Sequence, residues 1–196
     1  MAQSDAFPCY LSEREALSWM ADRLGRAAVF GYGTRARSIS GNLCSVASDG
    51  EPFDVRDAFA IRALCERYAL AVDAGDLAAF TSVFTPDGHL WSDYRGVDTD
   101  YNGHEELEQV VVRAKALAPT TMHLIGNHLA QPVGGDDATG ITYCIAHHLR
   151  EDRTDLVMMV RYLDRYRRAA EDDWLIADRR VEVLWTETRQ VDPPSA

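Results

Sequence analysis

The stretch from Thr120 to Glu187 constrains the fold more than any other part of the chain. It contains four strand-like segments, TTMHLIGNHLAQ, ATGITYCIAHHLRE, DLVMMVRYLDRYRR and DWLIADRRVEVLWTE, and a Gly-Gly-Asp-Asp turn at 134–137 separates the first two. Segments rich in β-branched and aromatic residues that are joined by turn residues are typical of antiparallel strands. The sequence therefore predicts a long, mainly antiparallel sheet in the second half of the chain.

Three helices are predicted ahead of these strands. The first is marked by apolar residues at helical spacing, namely Phe59, Ile61, Leu64, Cys65, Tyr68 and Val72. Gly75 and Asp76 interrupt it before a shorter helical stretch, LAAFTSVF, which stops ahead of Pro86. HLWSDY then forms a first strand, and a third helix, HEELEQVVVRAKAL, runs to about Pro119. Helices followed by strands indicate an α+β domain, and a curved sheet wrapped on the helices would leave a cone-shaped pocket.

The first 54 residues differ in character from the rest. Ser12 and Glu15 form a capping-box pattern, and the apolar residues that follow predict one amphipathic helix over residues 13–29. The segment after it is rich in Gly and Ser and has little periodicity, which is typical of a loose connector. The predicted organisation is an N-terminal extension (1–54), one α+β domain (55–190) and a short tail (191–196).

Charge and cysteine content limit the partners of the chain. Its 20 basic and 31 acidic residues give a net charge of −11, which would repel nucleic acid and anionic membrane surfaces. No run of about 18 apolar residues is present, and the N-terminus lacks the pattern of a secretory leader. The four cysteines form no CxxC pair. We therefore expect a cytoplasmic protein whose substrate is small, neutral and, from the apolar pocket candidates named below, hydrophobic.

Asp73, His123 and His148 are the residues that point to chemistry. Asp73 lies at the end of the first helix of the α+β domain, and the two histidines lie on successive predicted strands. A carboxylate that orients one imidazole, with a second imidazole nearby, can remove and return protons near neutral pH without a cofactor. The sequence therefore predicts a small acid–base enzyme.

Strand alternation assigns the histidines to faces of the sheet. His147 and His148 point to opposite faces, so only one of them can enter a pocket. His148 is preferred because it shares its face with small or moderately apolar residues, although His147 stays open. On the preceding strand, alternation places His123 on one face with Ile125, Asn127 and Leu129, and His128 on the other face with Met122, Leu124 and Gly126.

Several segments together resemble a known family. They are RYALAVDAGD, FTPDG, TMHLIGNHL, the alternating Tyr162, Asp164, Tyr166 and Arg168, and the W-x-I at 174–176 ahead of an arginine. In this order they are similar to the SnoaL-like branch of the nuclear transport factor 2-like superfamily, which includes polyketide cyclases, scytalone dehydratase, bile-acid 7α-dehydratase and hexachlorocyclohexane dehydrochlorinase. The resemblance covers about residues 55–190. It implies a cone-shaped α+β barrel, in which three helices pack on a strongly curved, mainly antiparallel sheet, and a homo-oligomer.

The resemblance also implies roles for individual residues. Asp73 and His123 would form the catalytic dyad, and Tyr68, five residues before Asp73, would project into the same cavity. Arg179 would stabilise a developing anion or leaving group. The dehydrochlorinase has a lysine in place of Tyr68, so this chain favours elimination of water over elimination of HCl.

The expected activity is that of a cofactor-independent lyase of the dehydratase type, or an isomerase, acting on a small hydroxy-carbonyl compound. Apolar candidates for the pocket wall favour a steroid, polyketide or alicyclic substrate. These substrate-binding candidates are Phe84, Trp91, Met122, Cys144, Met158, Tyr162, Val181 and Trp185.

Two other interpretations fit the same residues. Two histidines and one carboxylate are also the ligand set of non-heme iron, although no metal or other cofactor is expected here. The fold also serves as a non-catalytic ligand-binding or dimerisation module, such as the small subunit of ring-hydroxylating dioxygenases.

Overall fold

The computed structural model describes residues 54–94, 97–169 and 173–192. The predicted helix at 13–29, the connector up to residue 53 and the last four residues of the predicted tail lie outside the described residues.

Three helices precede or interrupt the sheet: α1 (Val55–Ala74), α2 (Leu77–Thr81) and α3 (Gly103–Leu117). All three predicted helices are thus present. The apolar residues that predicted α1 are buried, except Phe59, which is exposed. None of the helices in these described ranges is long and apolar enough to cross a membrane.

The turn between α1 and α2 fixes the position of Asp73. Gly75 adopts a left-handed conformation (φ 71°) and its N–H bonds to carbonyls of the last turn of α1, which ends the helix. Asp76 begins α2 by accepting a hydrogen bond from the N–H of Ala79 at 2.9 Å. Asp73 therefore lies in the final turn of α1, and the Gly75 cap and the start of α2 fix the position of this turn.

The sheet contains six strands: β1 (Phe84–Tyr94), β2 (Val97–Asn102), β3 (Thr120–Gly134), β4 (Asp137–Leu149), β5 (Thr154–Arg168) and β6 (Trp174–Gln190). Their order is β2-β1-β6-β5-β4-β3, and every neighbouring pair is antiparallel except β1 with β6. The sheet is mixed and is not closed, because β2 and β3 form its two edges. The predicted α+β cone is confirmed, while β2 was missed.

Several bulges interrupt the strand pairing, and two of them change the face on which predicted residues lie. On β3, Ile125 pairs with Cys144 and His128 pairs with Thr142, so three steps on β3 oppose two on β4. On β6, one extra residue, Leu184, is inserted opposite β5. An inserted residue turns every following side chain to the other face of the sheet.

The helices cover one face of the sheet, which we call the inner face; the opposite face is the outer face. The core between the helices and the inner face includes Ile61, Leu64, Tyr68, Val72, Leu107, Val111, Val160, Tyr162 and Ile176. The outer face carries exposed apolar side chains that include Met122, Leu124, Tyr143, Ile145, Leu184 and Trp185.

Candidate active site

A cavity of about 520 Å³ lies between the helices and the inner face. Its wall is mostly apolar and is formed by Val72, Val110, Ala114, Leu117, Ala146, Met158, Val160, Val181 and Val183. The polar residues on the wall are Tyr68, Ser92, Tyr94, Thr99, Tyr101, Arg113, His123, His148 and Tyr162. A few polar groups in an apolar cavity of this size are typical of small-molecule sites.

Asp73 and His123 are joined by two hydrogen bonds. The Nδ1 of His123 lies 2.7 Å from one carboxylate oxygen, and the backbone N–H of His123 donates to the other at 2.9 Å. Burial acts to raise the pKa of Asp73, but the hydrogen bonds from His123 outweigh it and hold the pKa below its ordinary value. Because an ionised carboxylate can only accept, Nδ1 carries the proton and Nε2 is the nitrogen left for other chemistry.

Lys115 supports this pair from α3. Its Nζ donates to the backbone carbonyl of Asp73 at 2.7 Å and to the Oγ1 of Thr121 at 3.0 Å. These contacts tie the end of α1 to the beginning of β3, two residues before His123. Sequence reasoning missed Lys115, whose position near the end of an amphipathic helix gives no sign of a contact with another element.

His148 lies beside His123 on the inner face. The two rings are 5.9 Å apart between centroids and meet at 76°. The Nδ1 of His148 donates to the carbonyl of Leu156 at 3.2 Å, so its Nε2 is an unprotonated acceptor when the ring is neutral. Burial lowers the pKa of His148, and the nearby His123 lowers it further. His147 lies on the outer face, as the preference for His148 requires.

Tyr68 lines the cavity and keeps its proton. Burial raises the pKa of its hydroxyl to about 12, although the charge of Arg179 acts in the opposite direction. The guanidinium of Arg179 stacks on the ring of Tyr68 at 4.2 Å from its centroid. Tyr68 is thus a neutral hydrogen-bond donor on the wall of the cavity that the two histidines also line.

The structure corrects the predicted position of Arg179. Its side chain is completely buried and is not part of the cavity wall, because it lies between the rings of Tyr68 and Tyr162. Its Nε and Nη2 donate to the two carboxylate oxygens of Asp164, both at 2.8 Å. Arg179 therefore contacts Tyr68 and Tyr162 from the core side of the cavity wall and does not contact a ligand directly.

The predicted face of His128 is wrong. The β3 bulge returns it to the inner face, where its Nδ1 lies 2.9 Å from the Oγ1 of Thr142 and 3.9 Å from the thiol of Cys65. Burial lowers the pKa of His128. His128 therefore forms a polar cluster with Cys65 and Thr142 in the core and does not line the cavity.

The predicted substrate-binding residues divide into three groups. Met158, Tyr162 and Val181 line the cavity. Phe84 and Cys144 are not on the cavity wall, because they are buried in the core; Phe84 packs on Tyr68 with 6.2 Å between ring centroids. Burial raises the pKa of the Cys144 thiol to about 11.

The third group lies on the outer face, which corrects the prediction for these residues. Met122 is 55% exposed because it alternates with His123 along β3. Trp91 is stacked under the guanidinium of Arg180, at 4.7 Å. Trp185 is 59% exposed because the bulge at Leu184 turns it outwards.

Several wall residues were missed by sequence reasoning, above all Arg113 and Tyr101. A signal for Arg113 was available: it lies at i+3 within a helical stripe that continues through Val110, Ala114 and Leu117, all of which line the cavity. Tyr101 comes from β2, the strand that was not predicted.

The residues present do not form a metal site of the type considered above. Both oxygens of Asp73 accept hydrogen bonds from His123. Within residues 54–94, 97–169 and 173–192, no three His, Cys, Asp or Glu side chains are grouped so that they could hold a metal ion.

The family profile of the SnoaL-like domain matches residues 54–180. The chain belongs to the SnoaL-like family. This match includes Asp73, His123, His148 and all of the cavity wall except Val181 and Val183, so the site described above belongs to the SnoaL-like domain. No curated protein shows significant sequence similarity to the chain.

Solved structures with the same fold include dehydratase-like and dehydrochlorinase proteins. A candidate aromatic ring hydroxylase from Novosphingobium aromaticivorans is 25% identical, with a TM-score of 0.63 over 70% of this chain and 96% of its own. A candidate scytalone dehydratase from the same species is 17% identical, with a TM-score of 0.59 over 69% and 89%. Hexachlorocyclohexane dehydrochlorinase LinA of type 3 from Novosphingobium barchaimii is 18% identical, with a TM-score of 0.61 over 70% and 98%.

Proposed function

We propose that this protein is a cofactor-independent acid–base enzyme, a lyase of the dehydratase type or an isomerase, acting on a hydrophobic hydroxy-carbonyl compound. The observation that carries this proposal is the Asp73–His123 hydrogen-bonded pair at an apolar cavity, with the ring of His148 beside it. The SnoaL-like family and the dehydratase-like and dehydrochlorinase neighbours support the same reaction class.

His123 is the base in the first step. Its Nε2 removes a proton from a carbon next to the substrate carbonyl, and the C–H electron pair passes into an enolate. Asp73 stabilises the imidazolium that forms, because its low pKa keeps it ionised and two hydrogen bonds hold it in place. A positioned general base contributes about 10²–10⁴-fold, which suits a carbon acid already activated by a carbonyl.

Tyr68 receives the negative charge of the enolate. Its neutral hydroxyl donates a hydrogen bond to the carbonyl oxygen, and this bond strengthens as charge develops there. Arg179 positions the ring of Tyr68 and supplies positive charge from behind the wall.

The leaving hydroxyl is held by His148. The unprotonated Nε2 of His148 accepts a hydrogen bond from the substrate hydroxyl. As the C–O bond breaks, the imidazolium of His123 gives its proton to the departing oxygen, so that water leaves and a C=C bond forms. If the substrate is instead a ketone with a C=C bond next to the α-carbon, proton removal gives a dienolate. Return of the same proton from His123 to the far carbon of that dienolate then moves the double bond, and the outcome is isomerisation.

The test uses 3-hydroxy-1-tetralone, a ring hydroxy-ketone whose loss of water gives fluorescent 1-naphthol. We expect wild-type protein to form naphthol faster than buffer, and His123→Ala to lose about 10²–10⁴-fold in turnover while still binding the ketone 1-tetralone. His147→Ala is the matched control, because it removes an imidazole from the adjacent outer face. Binding of hydroxy-ketones without turnover by wild-type protein would favour the non-catalytic ligand-binding module.

We also propose that two copies of the chain pair through their outer faces. We give the name outer patch to the exposed apolar residues on the outer face of β3, β4 and β6, which are Met122, Leu124, Tyr143, Ile145, Leu184 and Trp185. A patch of this kind is typical of an interaction surface, and an apolar face can pair with its own copy about a two-fold axis.

A further inference from the structure

We infer that the cavity binds substrates that carry a carboxylate, and that Arg113 with Tyr101 forms the subsite for this group. The inference deepens the proposed function, on which it rests, by naming the substrate class: a hydrophobic ring hydroxy-carbonyl compound with an anionic group at its far end.

Arg113 is the cavity's source of fixed positive charge. Among the described residues on the wall, it is the only one with a permanent charge. It lies on the cavity-facing stripe of α3 with Val110, Ala114 and Leu117 and is itself exposed to solvent, so an incoming anion can reach its charge. The chain as a whole has a net charge of −11, so an anionic ligand needs a local cation of this kind to overcome the repulsion.

Arg113 is also held in place without being neutralised. Its Nη1 donates to the hydroxyl oxygen of Tyr101 at 2.9 Å, and its guanidinium lies 5.4 Å from the centroid of that ring. Tyr101 is only 8% exposed, so it is a fixed anchor. Within the part of the chain that the structure describes, no carboxylate pairs with Arg113, and the rest of its planar fork of N–H donors is available for a ligand.

The tyrosine of the subsite and the base His123 are contributed by different edge strands of the sheet. Tyr101 is on β2, at one edge of the open sheet, whereas His123 is on β3, at the other edge. The wall side chains between them come from β1, β6, β5 and β4. They include the apolar Val181, Met158 and Ala146, together with the polar Ser92, Tyr94, Tyr162 and His148. A ligand with a carboxylate at one end, a hydrophobic ring system in the middle and the reacting group at the other end matches this order.

The test compares 2-naphthoate with 2-naphthamide, which share a ring system and differ in charge. We expect wild-type protein to bind naphthoate at least about 10-fold more tightly, because a carboxylate with arginine forms a charge-assisted pair. Arg113→Gln should remove this preference without weakening the binding of naphthamide, and Arg113→Lys and Tyr101→Phe should reduce it.

Two matched variants make the result specific. Arg67→Gln removes the same charge from the exposed face of α1 and should keep the preference. Ala146→Val narrows the cavity and should weaken both probes. Equal affinity of wild-type protein for the two probes, a preference that persists in Arg113→Gln, or no binding of either probe would overturn the inference.

The proposed reaction and the proposed carboxylate subsite can be disproved separately. His123→Ala should keep the preference for naphthoate although it loses turnover of the hydroxy-ketone. If wild-type protein shows no turnover but binds naphthoate through Arg113, the proposed reaction is wrong and the subsite stands. If turnover depends on His123 but naphthoate has no advantage, the subsite is wrong and the reaction stands.

Discussion

Two histidine–aspartate pairs lie on opposite faces of the same sheet, and their geometries are almost identical. On the inner face, the Nδ1 of His123 is 2.7 Å from Asp73, and on the outer face the Nδ1 of His147 is 2.8 Å from Asp155. In each pair the second carboxylate oxygen accepts a backbone N–H, from His123 in the first and from His148 in the second. Distances alone do not distinguish the two pairs.

Their surroundings differ in two respects. Asp155 also pairs with Arg189, whose Nη2 lies 3.2 Å from the oxygen that contacts His147, so part of its charge is already compensated. For Asp73, the side chain paired with it in the described part of the chain is His123. In addition, His123 is on the wall of an apolar cavity beside His148, whereas His147 faces outwards. The inner histidine–aspartate pair is therefore the candidate base, because His123 lies on the cavity wall and the carboxylate of Asp73 has no arginine paired with it in the described part of the chain.

The largest expected difference between the two pairs is in turnover. Asp73→Asn should lower kcat for 3-hydroxy-1-tetralone by about 10²–10⁴-fold, because an amide cannot stabilise the imidazolium and can fix the wrong tautomer of His123. Asp155→Asn should leave kcat unchanged. Steady-state kinetics of the two variants measure this directly, and similar losses in both would mean that the inner pair has no special role.

The next contrast concerns the free energy of unfolding. Asp164 and Arg179 are both completely buried, so Asp164→Asn leaves a buried guanidinium without its counter-charge and should cost about 3–5 kcal/mol. On the outer face, Glu182→Gln breaks a partly exposed pair with Arg161 and should cost only about 0–1 kcal/mol. Urea unfolding of both variants tests this. Equal losses in the free energy of unfolding would contradict the assignment of Asp164 and Arg179 to the core.

The contributions of His148, on the inner face, and of His89 to the free energy of unfolding should depend on pH in opposite directions. The pKa of His148 is lowered by burial, so its contribution to stability is present above the unfolded value of 6.5 and is lost as pH falls through the lowered pKa. Burial acts to lower the pKa of His89, but its contacts with Asp178 and Asp100 raise it overall. The contribution of His89 is therefore present below 6.5 and is lost as pH rises through the raised pKa.

Urea unfolding on either side of pH 6.5 can separate the two. His89→Gln should destabilise the protein more on the acidic side than on the basic side. His148→Gln should reduce the loss of stability that wild-type protein shows on acidification. A greater loss of stability on the basic side for His89→Gln would show that Asp178 and Asp100 do not govern the titration of His89. An unchanged or larger loss on acidification for His148→Gln would show that burial does not govern the titration of His148.

The smallest effect on turnover is expected for the outer patch. Trp185→Glu places a charge in the proposed pairing surface and should shift the protein to a smaller oligomer, as measured by light scattering, with turnover unchanged. Phe59→Glu is a control, because Phe59 is also a large exposed residue, 74% exposed, but lies on α1. A wild-type monomer, or a Trp185→Glu protein of unchanged mass, would exclude pairing through this face.

Much of the fold follows from the sequence because the local signals are strong. Gly75 and Asp76 mark the end of α1 and the start of α2, which placed Asp73 at a helix end. Strict alternation holds along β4, so that the inner position of His148 could be predicted from its neighbours.

The remaining errors have a physical cause in the bulges. Alternation fails for His128 and for Trp185 because one inserted residue on β3 and one on β6 reverse the faces that follow. A bulge depends on pairing with the neighbouring strand, which is not visible in the strand's own sequence. Arg113 was missed for a related reason, since its use depends on Tyr101 from a strand that the sequence pattern did not reveal.

Hydrogen exchange at the α-carbon of 1-tetralone in D₂O tests the central claim most directly, because it reports proton removal without requiring a leaving group. The account predicts that wild-type protein and His147→Ala accelerate the exchange equally, and that His123→Ala, which still binds the ketone, loses the acceleration. Exchange at the buffer rate with 1-tetralone bound to wild-type protein, or undiminished exchange in His123→Ala, would contradict the assignment of His123 as the base.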